Sequence, residues 1–277
     1  MVTSLAMMGS GENRFEADAG RYAAYLTTPE GRLRADLPFA NLQEFLPTSS
    51  PPKVLNALDL GAGTGAAAVR LAQLGMHVTL LDSSARMLEL AEHAINEAAV
   101  GDQVVVRLGD ASQLDGFFAP RSFDIILCHN FLEYVDDSAA VFRSISRLMR
   151  NSSAILSVLV RNQAGEVMKA ALQAGDLGAA ERNLTSPWAQ ESLYGGQLRL
   201  FTPETLETLL KDASLTIRAR RGVRVIADYL PSEVRALDYD RILALEHKLG
   251  QRYEFCGVAR YLQCVASPVN SASSREE

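Results

Sequence analysis

The stretch Ala57-Leu58-Asp59-Leu60-Gly61-Ala62-Gly63-Thr64-Gly65, ALDLGAGTG, joins a short apolar run to three glycines at alternate positions. A strand that ends at such a turn before a helix lets a ligand contact bare backbone, because glycine has no side chain. A dinucleotide site has the spacing G-x-G-x-x-G, but Ala66 stands where its third glycine should be. A phosphate-binding P-loop requires Gly-Lys-Ser/Thr, and no lysine occurs between Lys53 and Lys169. The loop therefore predicts a nucleotide-like ligand without identifying it.

The composition is that of an ordinary globular protein. At 277 residues and 48% hydrophobic residues, the chain can bury one large core or a core with an appended cap. Its three cysteines form no C-x-x-C pair, so neither a disulfide framework nor a metal site is expected, and a reducing cytoplasm fits best. No apolar run reaches the roughly 18 residues that a membrane span needs. We expect residues 1–13 and 267–277 to be disordered around a single domain at 14–266.

Apolar segments with strand character alternate with helix-length segments after the glycine loop. This pattern predicts an α/β fold, doubly wound, with a mostly parallel sheet covered on both faces and a ligand across the carboxyl ends of the strands. A serine helix cap is expected at Ser84. Besides the strand before Gly61, the segments with strand character are HVTLLDSS (77–84), VVVRLGDASQL (104–114), FDIILCHNFLEYV (123–135) and AILSVLVRN (154–162).

Three carboxylates narrow the choice of ligand. Asp82 lies 21 residues after Gly61, at the end of the second strand, where it can accept hydrogen bonds from both hydroxyls of a ribose. Asp110 follows the third strand and is placed to meet an adenine amino group. Asp59 precedes the glycines, and a carboxylate there disfavours a pyrophosphate but favours an ammonium and a sulfonium. The balance favours S-adenosylmethionine, while a nicotinamide oxidoreductase and a non-catalytic nucleotide-binding module stay open as alternatives.

Several motifs resemble those of class I S-adenosylmethionine-dependent methyltransferases, in the same order and spacing: LDLGAGTGAAAVRLA, LLDSSARML, LGDAS, FDIILCHNFLEYV and FTPETLETLL. More specifically, TTPEGRLR (27–34), CHNFLEYV (128–135), GVRVIADYL (222–230) and ARYLQCVA (259–266) resemble the bacterial tRNA 5-carboxymethoxyuridine methyltransferases. The likeness runs from about Arg14 to Ala266. It implies a Rossmann-like sheet of seven strands, with two further strands around 215–229 and 257–266.

The resemblance also implies which residues bind the cofactor. Arg34, in the GxLR position, and His129, after the fourth strand, would contact it. The full predicted set is Arg34, Asp59, Gly61, Ala62, Gly63, Asp82, Ser83, Asp110, Ala111 and His129.

The resemblance divides the domain into four parts: a helical cap at 14–50, a cofactor-binding core at 54–162, an inserted lid at 163–200 and a C-terminal part of the sheet at 201–266. Trp188 and Tyr194 are the aromatic residues that could close the lid over an acceptor, or that could instead simply anchor a mobile loop. Relatives can carry a strongly basic run in this insertion, but residues 174–200 have only Arg182 and Arg199 as positive residues.

The methyl acceptor is the least determined feature. A net charge of −6 argues against broad, charge-driven binding of nucleic acid, yet residues 211–263 hold ten basic and seven acidic residues together with tyrosines. No clear base presents itself beyond His129, and a carboxylate acceptor needs none because it is ionised at neutral pH. We therefore predict an anionic acceptor held by Arg224 and Arg161, although Arg161 stands where the family has an aromatic residue. The carboxylate of a modified wobble uridine in a tRNA anticodon loop is the first interpretation, and a small-molecule acceptor is the alternative.

Overall fold

The computed structural model describes residues 10–47, 54–191 and 195–269. Two helices, α1 (Ser10–Leu26) and α2 (Pro29–Gln43), precede the sheet. Helix α2 begins with Pro29 in its first turn, and the Thr28 hydroxyl caps it by accepting from the Gly31 amide at 3.1 Å. Residues 10–13, expected to be disordered, are helical, because a helix that has nucleated gains one backbone hydrogen bond with each added residue.

The main sheet confirms the predicted fold. It has seven strands in the order β3-β2-β1-β4-β5-β9-β8, all parallel except β9, which is antiparallel to both of its neighbours. A separate hairpin is formed by β6 and β7. The strands are β1 (Asn56–Leu60), β2 (His77–Asp82), β3 (Val104–Leu108), β4 (Ile125–His129), β5 (Ile155–Arg161), β6 (Trp188–Gln190), β7 (Gln197–Arg199), β8 (Leu215–Val223) and β9 (Tyr261–Pro268).

Helices cover both faces of this sheet. Successive residues of β1 point into opposite cores: Leu58 packs in one with Phe142, and Ala57 packs in the other with Leu71. Ser84 caps the helix after β2 as expected, its hydroxyl accepting from the Met87 amide. The remaining helices are α3 (Ala66–Gln73), α4 (Ala85–Glu97), α5 (Leu114–Phe117), α6 (Ser138–Leu148), α7 (Gln163–Met168), α8 (Leu177–Asn183), α9 (Pro203–Asp212), α10 (Ser232–Leu237), α11 (Tyr239–Gly250) and α12 (Tyr253–Cys256). Within the described ranges, none is long and apolar enough to cross a bilayer.

Three strand boundaries near the C-terminus differ from the prediction, and one of them is the start of β9, which is Tyr261 and not Gly257. Strand β8 ends at Val223 instead of continuing towards Tyr229, because Arg224 has a φ of +60°, which extended backbone does not allow. Strand β9 continues to Pro268, which pairs with Leu215 at the start of β8. Residues 267 and 268, expected to begin a disordered tail, therefore belong to the sheet.

The insertion after β5 has its own secondary structure. It consists of α7, a π-helical turn at Lys169–Gln173, α8 and the β6–β7 hairpin. Trp188 in this hairpin is exposed. Tyr194 lies outside the described residues, so the pairing of these two aromatic residues in a lid stays a prediction.

Candidate active site

A cavity opens at the carboxyl ends of β1 and β4, on the side that α2 covers. Five of the predicted cofactor residues line it: Arg34, Asp59, Gly61, Ala62 and His129. Tyr22 and Asn130, which the sequence did not single out, also line it. The cavity therefore lies where an α/β sheet of this topology binds its ligand.

The glycine loop reaches the cavity with its backbone bare. Gly61, Gly63 and Gly65 all have positive φ values, of +62°, +54° and +73°. At Gly61 a Cβ atom would lie 2.6 Å from the ring of Phe131, so this position needs glycine for space as well as for conformation. The amide of Gly61 donates to the Leu81 carbonyl at 2.9 Å, which ties the loop to the neighbouring strand β2.

Asp59 lines this cavity and has one buried carboxyl oxygen that is unsatisfied. The residue is only 3% exposed, and its Oδ2 has no hydrogen-bond partner among the described residues. Burial raises the pKa of Asp59 to about 7, the charge of Asp82 adds to the rise, and the backbone amide of Ala68 opposes it. A buried carboxyl oxygen without a partner fits a cationic group of a ligand.

Asp82 is held against the glycine loop. Its Oδ2 accepts from the Gly63 amide at 2.8 Å, and its Oδ1 accepts from the Ser84 amide at 2.9 Å. A carboxylate oxygen can accept more than one hydrogen bond, so these amide contacts are compatible with a further bond from a ribose hydroxyl.

The predicted residues at the ends of β2 and β3 are not brought into the cavity wall. Ser83 and Asp110 are exposed, whereas Ala111 is buried in the core on the α6 side of the sheet. Neither they nor Asp82 and Gly63, which are also in the predicted set, are among the residues that line the cavity. They lie along the same edge of the sheet, further from Arg34.

Arg34 crosses from the helical cap to the end of β4. Its Nε donates to the side-chain oxygen of Asn130 at 2.8 Å, and its Nη2 donates to the Tyr22 hydroxyl at 3.3 Å. Asn130 has a φ of +51°, a conformation that asparagine tolerates better than most residues. Its position after His129, at a strand end, is the signal that could have marked it in the sequence.

His129 is neutral in this environment. Its Nε2 lies 2.8 Å from the hydroxyl of Ser157 on the neighbouring strand β5. Burial lowers the pKa of His129 to about 4, and the positive charge of Arg34 adds to this effect. At neutral pH the imidazole therefore carries one proton.

The two arginines predicted to hold the acceptor are buried and already paired with acidic side chains. Arg161 donates to Glu166 at 3.0 Å and to Glu191, in the insertion, at 2.9 Å. Arg224 donates from Nε to Asp228 at 2.7 Å. The pairing with Glu191 could not be read from the sequence, because this carboxylate reaches Arg161 only through folding of the insertion, whereas Glu166 and Asp228 lie five and four residues after their arginines.

Tyr261 lies at the centre of this arginine cluster. The guanidinium carbons of Arg161, Arg224 and Arg34 lie 5.3, 5.7 and 5.8 Å from the centre of its ring. Burial alone would disfavour the phenolate, but the charges of Arg161, Arg34, Arg224 and Arg260 outweigh it and lower the pKa of Tyr261 to about 8. The arginine charges around this buried ring therefore outweigh the cost of burying a phenolate.

Metal ligation has no counterpart in this arrangement. In the part of the chain that the structure describes, no group of three or more histidine, cysteine or acidic side chains is placed to hold a metal ion.

Comparisons with known proteins agree with this geometry. Residues 58–157 match the model of a methyltransferase domain family. The chain is 28% identical over 247 residues to the tRNA 5-carboxymethoxyuridine methyltransferase of Escherichia coli K12, which covers 86% of this chain and 89% of that protein. It is 30% identical over 171 residues to a ubiquinone biosynthesis O-methyltransferase of Alkalilimnicola ehrlichii, a match that covers 60% of this chain and 62% of that protein. A solved S-adenosylmethionine-dependent methyltransferase from Thermotoga maritima superposes with a TM-score of 0.63 at 17% identity, over 93% of this chain and 99% of that one.

The chain is a class I S-adenosylmethionine-dependent methyltransferase, and its cofactor is S-adenosylmethionine. Its resemblance to the bacterial tRNA 5-carboxymethoxyuridine methyltransferases is confirmed over most of its length. The site fits the cofactor chemically, because the unpartnered Asp59 oxygen suits its ammonium group and the bare glycine backbone allows close approach.

Proposed function

We propose that the protein methylates the carboxylate of 5-carboxymethoxyuridine at the wobble position of tRNA. The observation that carries this proposal is the cluster of Arg34, Arg161 and Arg224, whose guanidinium carbons lie 5.3 to 5.8 Å from the centre of the Tyr261 ring and favour a negatively charged acceptor nearby. The relative from Escherichia coli, whose name states this substrate, matches along most of both chains and supports the same acceptor. A tRNA substrate would place the enzyme in the cytoplasm.

We assign the cofactor contacts by charge and position. When bound, S-adenosylmethionine supplies a methyl group activated by its sulfonium. Arg34 binds the methionine carboxylate, Asp59 the ammonium, Asp82 the ribose hydroxyls and Asp110 the adenine amino group. Gly61, Ala62, Gly63, Ser83, Ala111 and His129 complete the set.

Methyl transfer to a carboxylate requires no general base from the enzyme. A carboxylate is ionised at neutral pH, so the enzyme has only to hold it in line with the methyl group. Arg161 and Arg224 keep their acidic partners, and we assign them an electrostatic and aligning role. Guanidiniums in direct contact with the reacting oxygen would lower its nucleophilicity, so indirect stabilisation suits this reaction.

The insertion at 163–200 borders this acceptor side in our proposal. Glu191 in the insertion accepts hydrogen bonds from Arg161 and from the Tyr134 hydroxyl, at 2.9 and 3.3 Å. The insertion is thus tied to the end of β5. We propose that it acts as the lid over the acceptor.

The test uses tRNA from a strain that lacks the enzyme, incubated with labelled cofactor and purified protein. Wild type should label the wobble nucleoside, and Arg224→Ala should lose most of that label while keeping its affinity for S-adenosylhomocysteine. Arg220→Ala is the matched control. Arg220 lies four residues before Arg224 in the chain, but it is partly exposed on β8 and pairs with Glu207 of α9. If wild type leaves this tRNA unlabelled, the acceptor is wrong and the methyltransferase assignment remains.

A small-molecule hydroxyl acceptor is the second candidate. It is favoured by Tyr261, whose pKa of about 8 suits a base that removes a hydroxyl proton. Tyr261→Phe distinguishes the two acceptors. With a carboxylate acceptor, the methylation rates of wild type and Tyr261→Phe should both stay level between pH 7 and 9. With a hydroxyl acceptor, the wild-type rate should rise over this range and the variant should lose that rise.

A further inference from the structure

A chain of buried hydrogen bonds runs from His129 through the sheet to helix α2. The His129 Nε2 meets the Ser157 hydroxyl at 2.8 Å, and Nε2 of Gln263 donates to the same hydroxyl at 2.9 Å. Gln263 also donates to the Pro38 carbonyl at 2.9 Å, and its Oε1 accepts from the Asn41 amide at 2.8 Å. Ser157 and Gln263 are completely buried, at 0% exposure.

The direction of the Gln263 amide follows from its partners. The Pro38 carbonyl can only accept, so the atom that faces it must be the amide nitrogen. The same nitrogen lies 2.9 Å from the Ser157 hydroxyl oxygen and donates its second hydrogen to it. The Ser157 oxygen therefore accepts from Gln263.

This leaves the Ser157 hydroxyl hydrogen for His129. A hydroxyl has one hydrogen to donate, and the acceptor within reach of Ser157 among the described residues is the His129 Nε2. If Nε2 carried the proton instead, the Ser157 hydrogen would be buried without a described acceptor, which is costly. Because the low pKa of His129 keeps the ring neutral, its one proton then lies on Nδ1.

We propose that Ser157 and Gln263 are positioning residues that hold His129 in the Nδ1–H tautomer, so that it donates a hydrogen bond to the cofactor. Gln263 also anchors Pro38 and Asn41 of α2, the helix that carries Arg34. The side-chain amide of Gln263 thereby determines the tautomer of His129 and also supports the helix that carries Arg34. The inference rests on the proposed contact between His129 and the cofactor.

Nitrogen-15 NMR of the histidine rings in the ligand-free protein tests the tautomer directly. In wild type the Nδ1 of His129 should be the protonated nitrogen at pH 7. Ser157→Ala should shift the ring towards a mixture of tautomers, whereas Ser138→Ala should leave it unchanged. Ser138 is a matched control because it is also buried, and its hydroxyl has no partner among the described residues. A wild-type ring protonated on Nε2 overturns the proposal, whatever the variants do.

Binding of S-adenosylhomocysteine tests the contact in the absence of any acceptor. The amide nitrogen of asparagine can replace an Nδ1–H donor, while that of glutamine replaces Nε2–H. His129→Asn should therefore bind about tenfold more tightly than His129→Gln, as expected for keeping one hydrogen bond to a charged or polar ligand atom. Equal affinity of these two variants overturns the assigned donor. Failure of tRNA methylation would leave both results untouched, so it can be told apart from failure of this inference.

Discussion

Arg34 in helix α2 donates from Nε to the side chain of Asn130 at the end of β4, over 2.8 Å and 96 positions of sequence. The same guanidinium lies 5.3 Å from the Tyr22 ring and 5.8 Å from the Tyr261 ring. The contact closes the helical cap over the carboxyl ends of the strands. Arg34 thus belongs both to the wall of the cavity and to the arginine cluster around Tyr261.

Arg34→Lys should weaken binding of S-adenosylmethionine and S-adenosylhomocysteine. A lysine ammonium cannot keep the Asn130 contact and also present a planar fork to a carboxylate. We expect a loss of about 1 to 2 kcal/mol, in the range of a hydrogen bond to a charged group, measured by calorimetry. Arg32→Lys is the control on the same helix, because Arg32 packs 3.8 Å over the Tyr239 ring instead. Equal affinities for Arg34→Lys and wild type would contradict a two-pronged contact between the Arg34 guanidinium and the methionine carboxylate.

Asp82→Ala should weaken binding of both cofactor forms by about 1.5 to 3 kcal/mol, since it removes an ionised acceptor of hydrogen bonds. Part of this loss arises in the protein itself, because Asp82 also holds the Gly63 and Ser84 amides. Asp82→Asn is the informative companion. It keeps one side-chain oxygen and should recover part of the affinity. Unchanged calorimetry with a folded Asp82→Ala protein would exclude Asp82 from the site.

Cofactor affinity should rise with pH around neutrality because of Asp59. Its pKa is about 7 in the free protein, and the carboxylate must lose its proton before it can pair with an ammonium. Below pH 7 the affinity should therefore fall by up to about tenfold per pH unit. Asp59→Asn should bind more weakly at pH 8 and lack this dependence. A wild-type affinity that is flat from pH 5.5 to 8 contradicts the pairing.

The same group should make the free protein less stable as pH rises. The folded pKa of Asp59 is raised from 3.8 to about 7, so between these values the folded state keeps a proton that the unfolded state has lost. The free energy of unfolding of wild type should fall relative to that of Asp59→Asn from about pH 4 to pH 7 and then level off. Urea unfolding at a series of pH values measures the difference. A constant difference between the two proteins would mean that Asp59 is ionised in the folded state throughout this range.

Gly61→Ala should destabilise the fold through contact with Phe131. Both Gly61 and Gly75 have positive φ values, of +62° and +84°, but an added Cβ at Gly75 meets nothing within 4 Å. Gly75→Ala therefore shares the backbone strain without the clash. We expect Gly61→Ala to cost about 1 to 3 kcal/mol more than Gly75→Ala in urea unfolding, as overpacking does. Phe131→Ala should remove most of this excess, and equal losses for the two glycine variants would show that the loop relaxes.

The features that the sequence determined by itself are those with a local cause. The strand, glycine turn and helix around Gly61 follow from apolar periodicity and from backbone that only glycine adopts readily. Asp82 could be placed at the next strand end because parallel strands end at a common edge. Thr28 and Ser84 could be recognised as helix caps because a cap acts within three residues.

Only the tertiary structure decided the partners of the buried polar groups. The sequence predicts Arg161 and Arg224 as acceptor-binding groups, but folding of the insertion brings Glu191 to Arg161 across 30 residues. Their other partners, Glu166 and Asp228, lie only five and four residues further along the chain. The low pKa of Tyr261 likewise needs arginines from α2, β5 and the end of β8 around one ring. The tautomer of His129 depends on Ser157 and Gln263, on two further strands. Charge pairing and hydrogen bonding act through space over a few ångströms, so they depend on which strands become neighbours and in which register, and no local pattern encodes that.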